Sequence, residues 1–326
     1  DSEGEPPLPE EEFKHHVKML EFFNREGPNT GSLAFTRVED EGLDTVVGIA
    51  VNEQRKRVTV AFRGTMNLHD WTTHLTTGRI SVMLGDPTIG VKMRRIAVHR
   101  GFWLRMTHRD KDTCLRFYES IIKPALFDEF ENKRDFVNQG PDNERIKSWR
   151  QYSLYITGHS LGGALANIMG LLCALDPDIR KWFKGPPTVV AVANPRLGNY
   201  SYRELYHELQ EKGFLRCVRV LAPDDVVPYV LPVVSGYNHV GARILLYPEA
   251  PVIRRDVEFP NRDQFFAYDF TGIYVKSTKE HQTRFYTERI RAALAELSPG
   301  SDLDVTIEEI FQQKLPRFYG LLEPKP

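Results

Sequence analysis

Residues 153–167 read SLYITGHSLGGALAN. Leu154, Tyr155 and Ile156 form a short apolar run suited to a strand, and the residues from Ala164 to Leu172 continue as a strong helix former. Ser160 stands at the junction. Gly158 and Gly162 flank it two residues to either side, where a tight strand-to-helix turn brings neighbouring backbone too close for a β-carbon. The spacing is G-x-S-x-G, which projects a serine hydroxyl at the carboxyl end of a sheet while the first helical amide points at whatever the hydroxyl attacks. The plainer reading of the same residues is a helix-capping serine, with glycines that let helix and strand pack closely. Five residues alone leave both readings open.

Outward from the elbow, strands and helices alternate. The run TVVGIAVNEQRKRVTVAFRGT (45–65) holds two β-rich stretches around a polar turn, which predicts paired strands at Val46–Val51 and Arg57–Phe62. Further strands are expected before the elbow, at TVVAVA (188–193) and at CVRVLA (217–222), and GYNHVGARILL (236–246) runs into another. Helical patterns cover 10–25, Phe102–Leu126, Leu161–Leu175 and Tyr202–Lys212. Alternation of this kind predicts an α/β fold: three layers, αβα, around a mostly parallel central sheet. The stretch 127–150 is heavily charged with Gly140-Pro141 in its middle, and reads as a solvated insertion. After Ser298-Pro299-Gly300 comes a tail, 300–326, with one weak helix at Val305–Gln313, expected outside the core of a single domain spanning 1–326.

Composition narrows the function. A hydrophobic fraction of 41% supports a sizeable core, and 43 basic against 44 acidic residues leave a formal charge of −1. No global field argues for nucleic acid or an anionic membrane. No run is long and apolar enough to span a bilayer. The three cysteines, Cys114, Cys173 and Cys217, are too widely spaced for a C-x-x-C metal or redox motif, and the last two sit in apolar stretches that read as core. Neither a metal nor an organic cofactor is expected: H-E-x-x-H, clustered Cys/His and G-x-G-x-x-G after a strand are all missing from the sequence.

A serine nucleophile in such a sheet needs a base to take its proton and a carboxylate to orient that base, following it in chain order. Asp224 and Asp225 lie directly after CVRVLA, in APDDVVPYV. The downstream histidines are His239, in GYNHVGARILL, and His281, in STKEHQTRFY. Spacing alone chooses within neither pair.

The motifs VAFRGT (60–65), DW (70–71), VHRGF (98–102), ITGHSLGGALA (156–166), NPRLGN (194–199) and DVVP (225–228), closed by HQTRFY (281–286), occur in the order found in class 3 (fungal-type) lipases, and over residues 45–290 the chain resembles that family. The resemblance implies an α/β-hydrolase fold and hydrolysis of carboxylic esters, with acylglycerols as the lipid substrate met at a lipid–water interface by a monomer. It also implies Ser160 as nucleophile, Asp225 as the acid three residues before Pro228, and His281 as base. Leu161 and Thr65 would form the oxyanion hole, and Leu68, Trp71 and Leu75, spaced along one face of a helix, would line a lid. Arg63 and His99 read as structural. The alternatives are an esterase, phospholipase A1 or galactolipase acting on other acyl esters, and a silent lipid-binding relative. Two departures bear on the pocket rim: Ala193-Asn194 stands where the family commonly has a Gly and a small residue, and the 127–150 stretch is long.

Overall fold

The computed structural model describes residues 33–40, 45–52, 55–64, 78–107, 117–132, 151–231, 235–246 and 279–295. The first strands are β1 (Leu33–Asp40), β2 (Thr45–Asn52) and β3 (Arg57–Phe62). Next come β4 (Arg79–Asp86) and β5 (Val91–His99), then α1 (Arg100–Thr107), a π-helical turn (Phe117–Ile122) and α2 (Lys123–Asn132). The second half carries β6 (Ser153–His159), α3 (Leu161–Leu175), α4 (Pro177–Trp182), β7 (Thr188–Val192), α5 (Tyr200–Glu211), β8 (Arg216–Leu221), β9 (Ala242–Leu245) and α6 (Thr283–Ala295).

Among the described residues the main sheet has seven strands in the order β1-β2-β3-β6-β7-β8-β9. β2 runs antiparallel to both its neighbours, and from β3 to β9 every pairing is parallel. Period-2 alternation then sorts the side chains. Val58, Val60, Leu154, Ile156, Val189 and Cys217 fall on one face, in a single core with residues of α1, α3 and α5. Val190, Val192, Val220 and Ile244 fall on the other, packed with Tyr286 and Ile290 of α6. Helices on both faces make the three layers expected from the alternating pattern. Helix α3 is apolar nearly all round because it fills the centre; a β-carbon on its Gly170 would lie 2.3 Å from Val189.

Several elements differ from the sequence reading. The expected single helix Phe102–Leu126 is α1 followed, beyond residues 108–116, by the π-helical turn and α2. The charged stretch also starts inside α2, where the Phe127 ring lies 4.0 Å from that of Trp182, an apolar anchor that carries the helix onward. β1 and the separate β4–β5 hairpin were not anticipated. The hairpin alternates half-buried and exposed residues in RISVMLGD, with basic residues filling β5, so it lacks the apolar run of a central strand. The helices expected at 10–25 and Val305–Gln313, the insertion from 133 to 150, and Cys114 lie outside the described residues.

Candidate active site

The turn after β6 is shaped by exclusion. A β-carbon on Gly158 would lie 2.3 Å from the Gly162 carbonyl carbon, and one on Gly162 would lie 2.3 Å from the Phe62 carbonyl oxygen. Both obstacles are backbone and cannot swing aside, so the end of β3, the end of β6 and the first turn of α3 meet only through glycine. Between them Ser160 takes φ 58 and ψ −121, a left-handed conformation strained for any residue with a side chain. Its N–H donates to Val192 O at 2.9 Å, fixing the turn to β7. Ser160 holds the capping position of α3, yet its side chain makes no capping hydrogen bond. The helix-cap reading of this serine therefore fails. The first intrahelical bond runs from Ala164 N–H to Ser160 O at 3.2 Å, so the Leu161 amide, at the head of the helix, precedes the helical ladder.

The acid loop follows β8. Asp225 is fully buried and accepts three hydrogen bonds: from Val227 N–H to Oδ1 at 2.9 Å, and to Oδ2 from the Tyr286 hydroxyl at 2.7 Å and His281 Nδ1 at 2.9 Å. A carboxylate oxygen only accepts, so Nδ1 of His281 carries the proton and its Nε2 offers the lone pair. That Nε2 is buried and makes no hydrogen bond among the described residues. Asp224, the neighbouring carboxylate, faces away. Arg289 of α6 grips it with two bonds of 2.6 Å and also reaches Glu280 at 2.9 Å. His239 is likewise occupied elsewhere, its Nε2 donating to Pro228 O at 2.8 Å, with burial first and Arg219 second pushing its pKa well below the ordinary value.

His281 comes close to the elbow through His159, the residue just before Ser160; the two rings lie 4.6 Å apart between centroids. Burial, and then His281, push the pKa of His159 down to about 4. It stays neutral at physiological pH and puts no positive charge beside the base. Three of the expected residues, Ser160, Asp225 and His281, are thus gathered where β6 and β8 end, with Leu161 at the head of the helix. Thr65, Leu68, Trp71 and Leu75 lie outside the described residues. Of the two residues expected to be structural, His99 is fully buried and stacks on Phe102 at 4.2 Å, and the Arg63 backbone N–H donates to Val46 O at 3.0 Å.

Tyr286 was missed by the sequence reading as a partner of the acid. Besides donating to Asp225, its oxygen accepts Ala222 N–H at 3.0 Å, so one phenol braces both the carboxylate and the end of β8. The signal was present in HQTRFY, but a tyrosine on a helix next to a histidine is as well suited to the core, and only the fold brings it to Asp225. Burial first, then the Asp225 charge, raise its pKa well above the usual tyrosine range, which keeps the proton on the phenol. Cys173 and Cys217 are core as expected, and burial pushes both thiols up to about 12. Among the described residues no group of three His, Cys, Asp or Glu is arranged to hold a metal ion, and no helix is long and apolar enough to cross a membrane.

Residues 59–235, which include the elbow and the acid loop, match the family model for Lipase (class 3). The chain belongs to the class 3 lipase family. It is 30% identical over 190 residues to Phospholipase A1-II 4 of Oryza sativa subsp. japonica, a match covering 58% of this chain and 43% of that protein. To a protein named Lipase from Rhizomucor miehei it is 25% identical over 224 residues, covering 64% of this chain and 47% of the relative. The chain spans less than half the length of the curated relatives it matches. Among solved structures it is similar to a fungal lipase–inhibitor complex described as a model for interfacial activation, with TM-score 0.51 and 22% identity over 80% of this chain and 82% of that one. A Rhizomucor miehei lipase propeptide complex gives TM-score 0.51 and 21% identity over 78% of this chain and 67% of that one. These neighbours give the family member its fold, the α/β-hydrolase fold that the resemblance implies, built on the αβα layers expected from the alternating strands and helices.

The departure at Ala193 also has a structural consequence. Ala193 sits at φ 53 with no exposed surface, a left-handed position that favours glycine. Its methyl packs with Val220 and Tyr286. Apolar burial there offsets the backbone strain.

Proposed function

We propose that this chain hydrolyses carboxylic esters of lipids through an acyl-serine intermediate, with Ser160 as nucleophile, His281 as base and Asp225 as the orienting acid. The observation that carries the reading is the buried Asp225–His281 hydrogen bond of 2.9 Å, made at the one ring nitrogen that leaves Nε2 as acceptor, beside a strained serine that caps no helix. His281 Nε2 takes the Ser160 proton as Oγ attacks the ester carbonyl, and the imidazolium that forms is stabilised by the Asp225 carboxylate. The Leu161 N–H, with Thr65 as second donor, receives the developing oxyanion. The proton then passes from His281 to the departing alkoxide, and a water activated by the same nitrogen releases the acid and restores the serine. Leu68, Trp71 and Leu75 are proposed as the cover of the acyl pocket, opened by a lipid surface that takes up their apolar stripe.

A fluorophosphonate probe tests the core of this, because only an activated serine reacts with it. The parent is expected to be labelled and Ser160→Ala is not. Labelling that survives Ser160→Ala, or a folded parent that resists the probe, defeats the proposal. Acylglycerols are the proposed substrate class. Phospholipase A1 action is a second reading, favoured by the names of several curated relatives. An emulsified triglyceride assayed beside a diacyl phospholipid separates the two.

A further inference from the structure

The β4–β5 hairpin packs on the rest of the protein with one face only. By period-2 alternation Ile80, Val82 and Leu84 of β4, with Ile96 and Val98 of β5, point inward and join the main core. The opposite face carries Ser81 and Met83 on β4 and Met93 and Arg95 on β5, all exposed. Met83 stands directly across from Arg95, and Met93 comes next on the same side of β5. Between the pairs Leu84–Arg94 and Asp86–Val91 the register shifts, so Gly85 alone faces both Lys92 and Met93. This bulge lets two adjacent side chains reach solvent together.

Apolar exposure and charge both single out this face. Met83 and Met93 are 52% and 48% exposed, and among the described residues only Tyr200, at 43%, is another large apolar residue in that class. Tyr200 flanks the same hairpin, because the preceding Asn199 donates its N–H to Ala97 O at 2.8 Å and accepts Ala97 N–H at its Oδ1 at 3.0 Å. Residues 79–100 hold five basic residues and one acidic residue, in a chain whose charge sums to −1. Arg94 pairs with Glu208 and Asp86 with Arg180. That leaves Arg79, Lys92, Arg95 and Arg100, all exposed and none paired with a carboxylate among the described residues.

Scattered exposed apolar residues are ordinary, but two flexible methionines flanked by unpaired cations match a particular surface. A bilayer with anionic headgroups places negative charge at its boundary and apolar volume just beneath. Unbranched methionines reach the second while arginine and lysine heads stay in the first. An acidic protein would answer the cations alone. We propose that the outer face of the β4–β5 hairpin, Met83 and Met93 with Arg79, Lys92 and Arg95, seats this protein on an anionic lipid surface. β4 begins at Arg79, and chain length alone holds Leu75 of the proposed cover within about 14 Å of it. A lipid surface seated on the hairpin is thus within reach of the segment proposed to open on it. The choice of a lipid partner rests on the proposed action on lipid esters; the binding itself requires no turnover.

The test is cosedimentation of the full chain with vesicles of phosphatidylcholine alone or of equimolar phosphatidylcholine and phosphatidylserine. Ser160→Ala serves as the reference protein, so that no lipid is cleaved. It is expected to bind the mixed vesicles about tenfold or more tightly than the neutral ones and to lose that preference at high salt. A cation near such a surface contributes about fivefold, so adding Lys92→Gln and Arg95→Gln weakens binding to the mixed vesicles by roughly 20- to 30-fold. Adding Met83→Ser and Met93→Ser instead weakens it by about tenfold or more and leaves the salt dependence in place. With Ser160 restored, both double variants are expected to keep the parent's melting temperature and its rate on a soluble p-nitrophenyl ester. An unreactive Ser160 would defeat the proposed chemistry and leave this binding intact, so the two failures are distinguishable. Equal binding to both vesicle types, or equal binding by the reference and the charge variant, overturns the proposal. A dimer that the methionine variant dissociates also overturns it, as a contact between copies, and so does binding to soluble polyglutamate that the methionine changes weaken equally, as a site for an acidic protein.

Discussion

Replacing Tyr286 with Phe removes one oxygen and nothing else, at a side chain with 1% of its surface exposed. Two hydrogen bonds go with it. The first is the donation to Asp225 Oδ2 at 2.7 Å, a bond to a charged acceptor worth about 1.5–3 kcal/mol. The second is the acceptance of Ala222 N–H at 3.0 Å, which leaves a buried amide unsatisfied at a cost of about 1–3 kcal/mol. Together they predict a loss of roughly 3–5 kcal/mol and a melting temperature lower by about 6–12 °C. The kinetic loss is expected to be smaller. Asp225 keeps its bonds to Val227 N–H and His281 Nδ1, so the tautomer of the base survives and only its placement loosens. A fall in kcat of about 3- to 30-fold with KM unchanged is expected, against roughly 10²–10⁴ for a change that inverts the tautomer. Calorimetry and a soluble p-nitrophenyl ester assay read the two effects separately. A variant that melts within 1 °C of the parent would falsify the bracing role; a kcat loss as large as that of Asp225→Asn would mean that the phenol takes part in the chemistry directly.

The other expectations concern neighbouring groups. Asp225→Asn is expected to cut kcat by about 10²–10⁴, whereas Asp224→Asn loosens the Arg289 grip, lowers the melting temperature by about 4–8 °C and leaves kcat within about tenfold; equal kinetic losses would leave the acid unassigned. His281→Ala is expected to abolish turnover and His239→Ala to change mainly stability, so a folded, inactive His239 variant beside an active His281 variant refutes the choice of base. Gly162→Ala forces a methyl against the Phe62 carbonyl, and a variant that folds at parental stability would contradict the close approach at the elbow. His159 and His207 are both held near pKa 4 by burial, below the ordinary 6.5, so the unfolded chain binds more protons than the native one in that window. Stability contributed by their neutral state is present above about pH 6.5 and is lost as pH falls toward 4, by roughly 3 kcal/mol each at the limit; His159→Asn and His207→Asn should each flatten the slope of a urea-midpoint series over that range.

The elbow was legible because the constraint that makes it is local. Gly158 and Gly162 meet backbone within a few residues or across one strand pair, and the spacing of the glycines records that contact directly. The central strands were legible for a similar reason, since residues buried on both faces form continuous apolar runs. What escaped was anything decided at long range. The bond between Tyr286 and Asp225 spans 61 positions, and no local pattern distinguishes that tyrosine from any other on an amphipathic helix. Asp224 and Asp225 are adjacent and chemically identical, so spacing left them equivalent and only the family resemblance pointed to Asp225; physically their separation depends on which way each leaves the turn, one toward Arg289, the other toward His281. The β4–β5 hairpin escaped for the opposite reason, its strands being half solvated and rich in basic residues, without the apolar signature of a core strand.

These long-range contacts converge on one loop. Asp225 N–H donates to Ala222 O at 3.2 Å, and its carboxylate takes Val227 N–H, so the turn is closed on itself. From one side α6 supplies Tyr286 to the carboxylate and Arg289 to its neighbour Asp224. From the other, His239 and Arg196 hold the carbonyls of Pro228 and Tyr229. A strained serine costs about 1–3 kcal/mol to maintain and persists only where its surroundings over-determine it. At Ser160 that work is done by backbone contacts at the two glycines. At Asp225 it is done by side chains from separate elements, and the same helix that carries Tyr286 and Arg289 begins two residues after His281. The orientation of the proposed base therefore depends on the docking of α6, which buries Tyr286 against Val220, Ala222 and Leu246. Nucleophile and base are held by different means: the serine by an exclusion that admits no adjustment, and the histidine by a set of polar contacts that single substitutions can loosen one at a time.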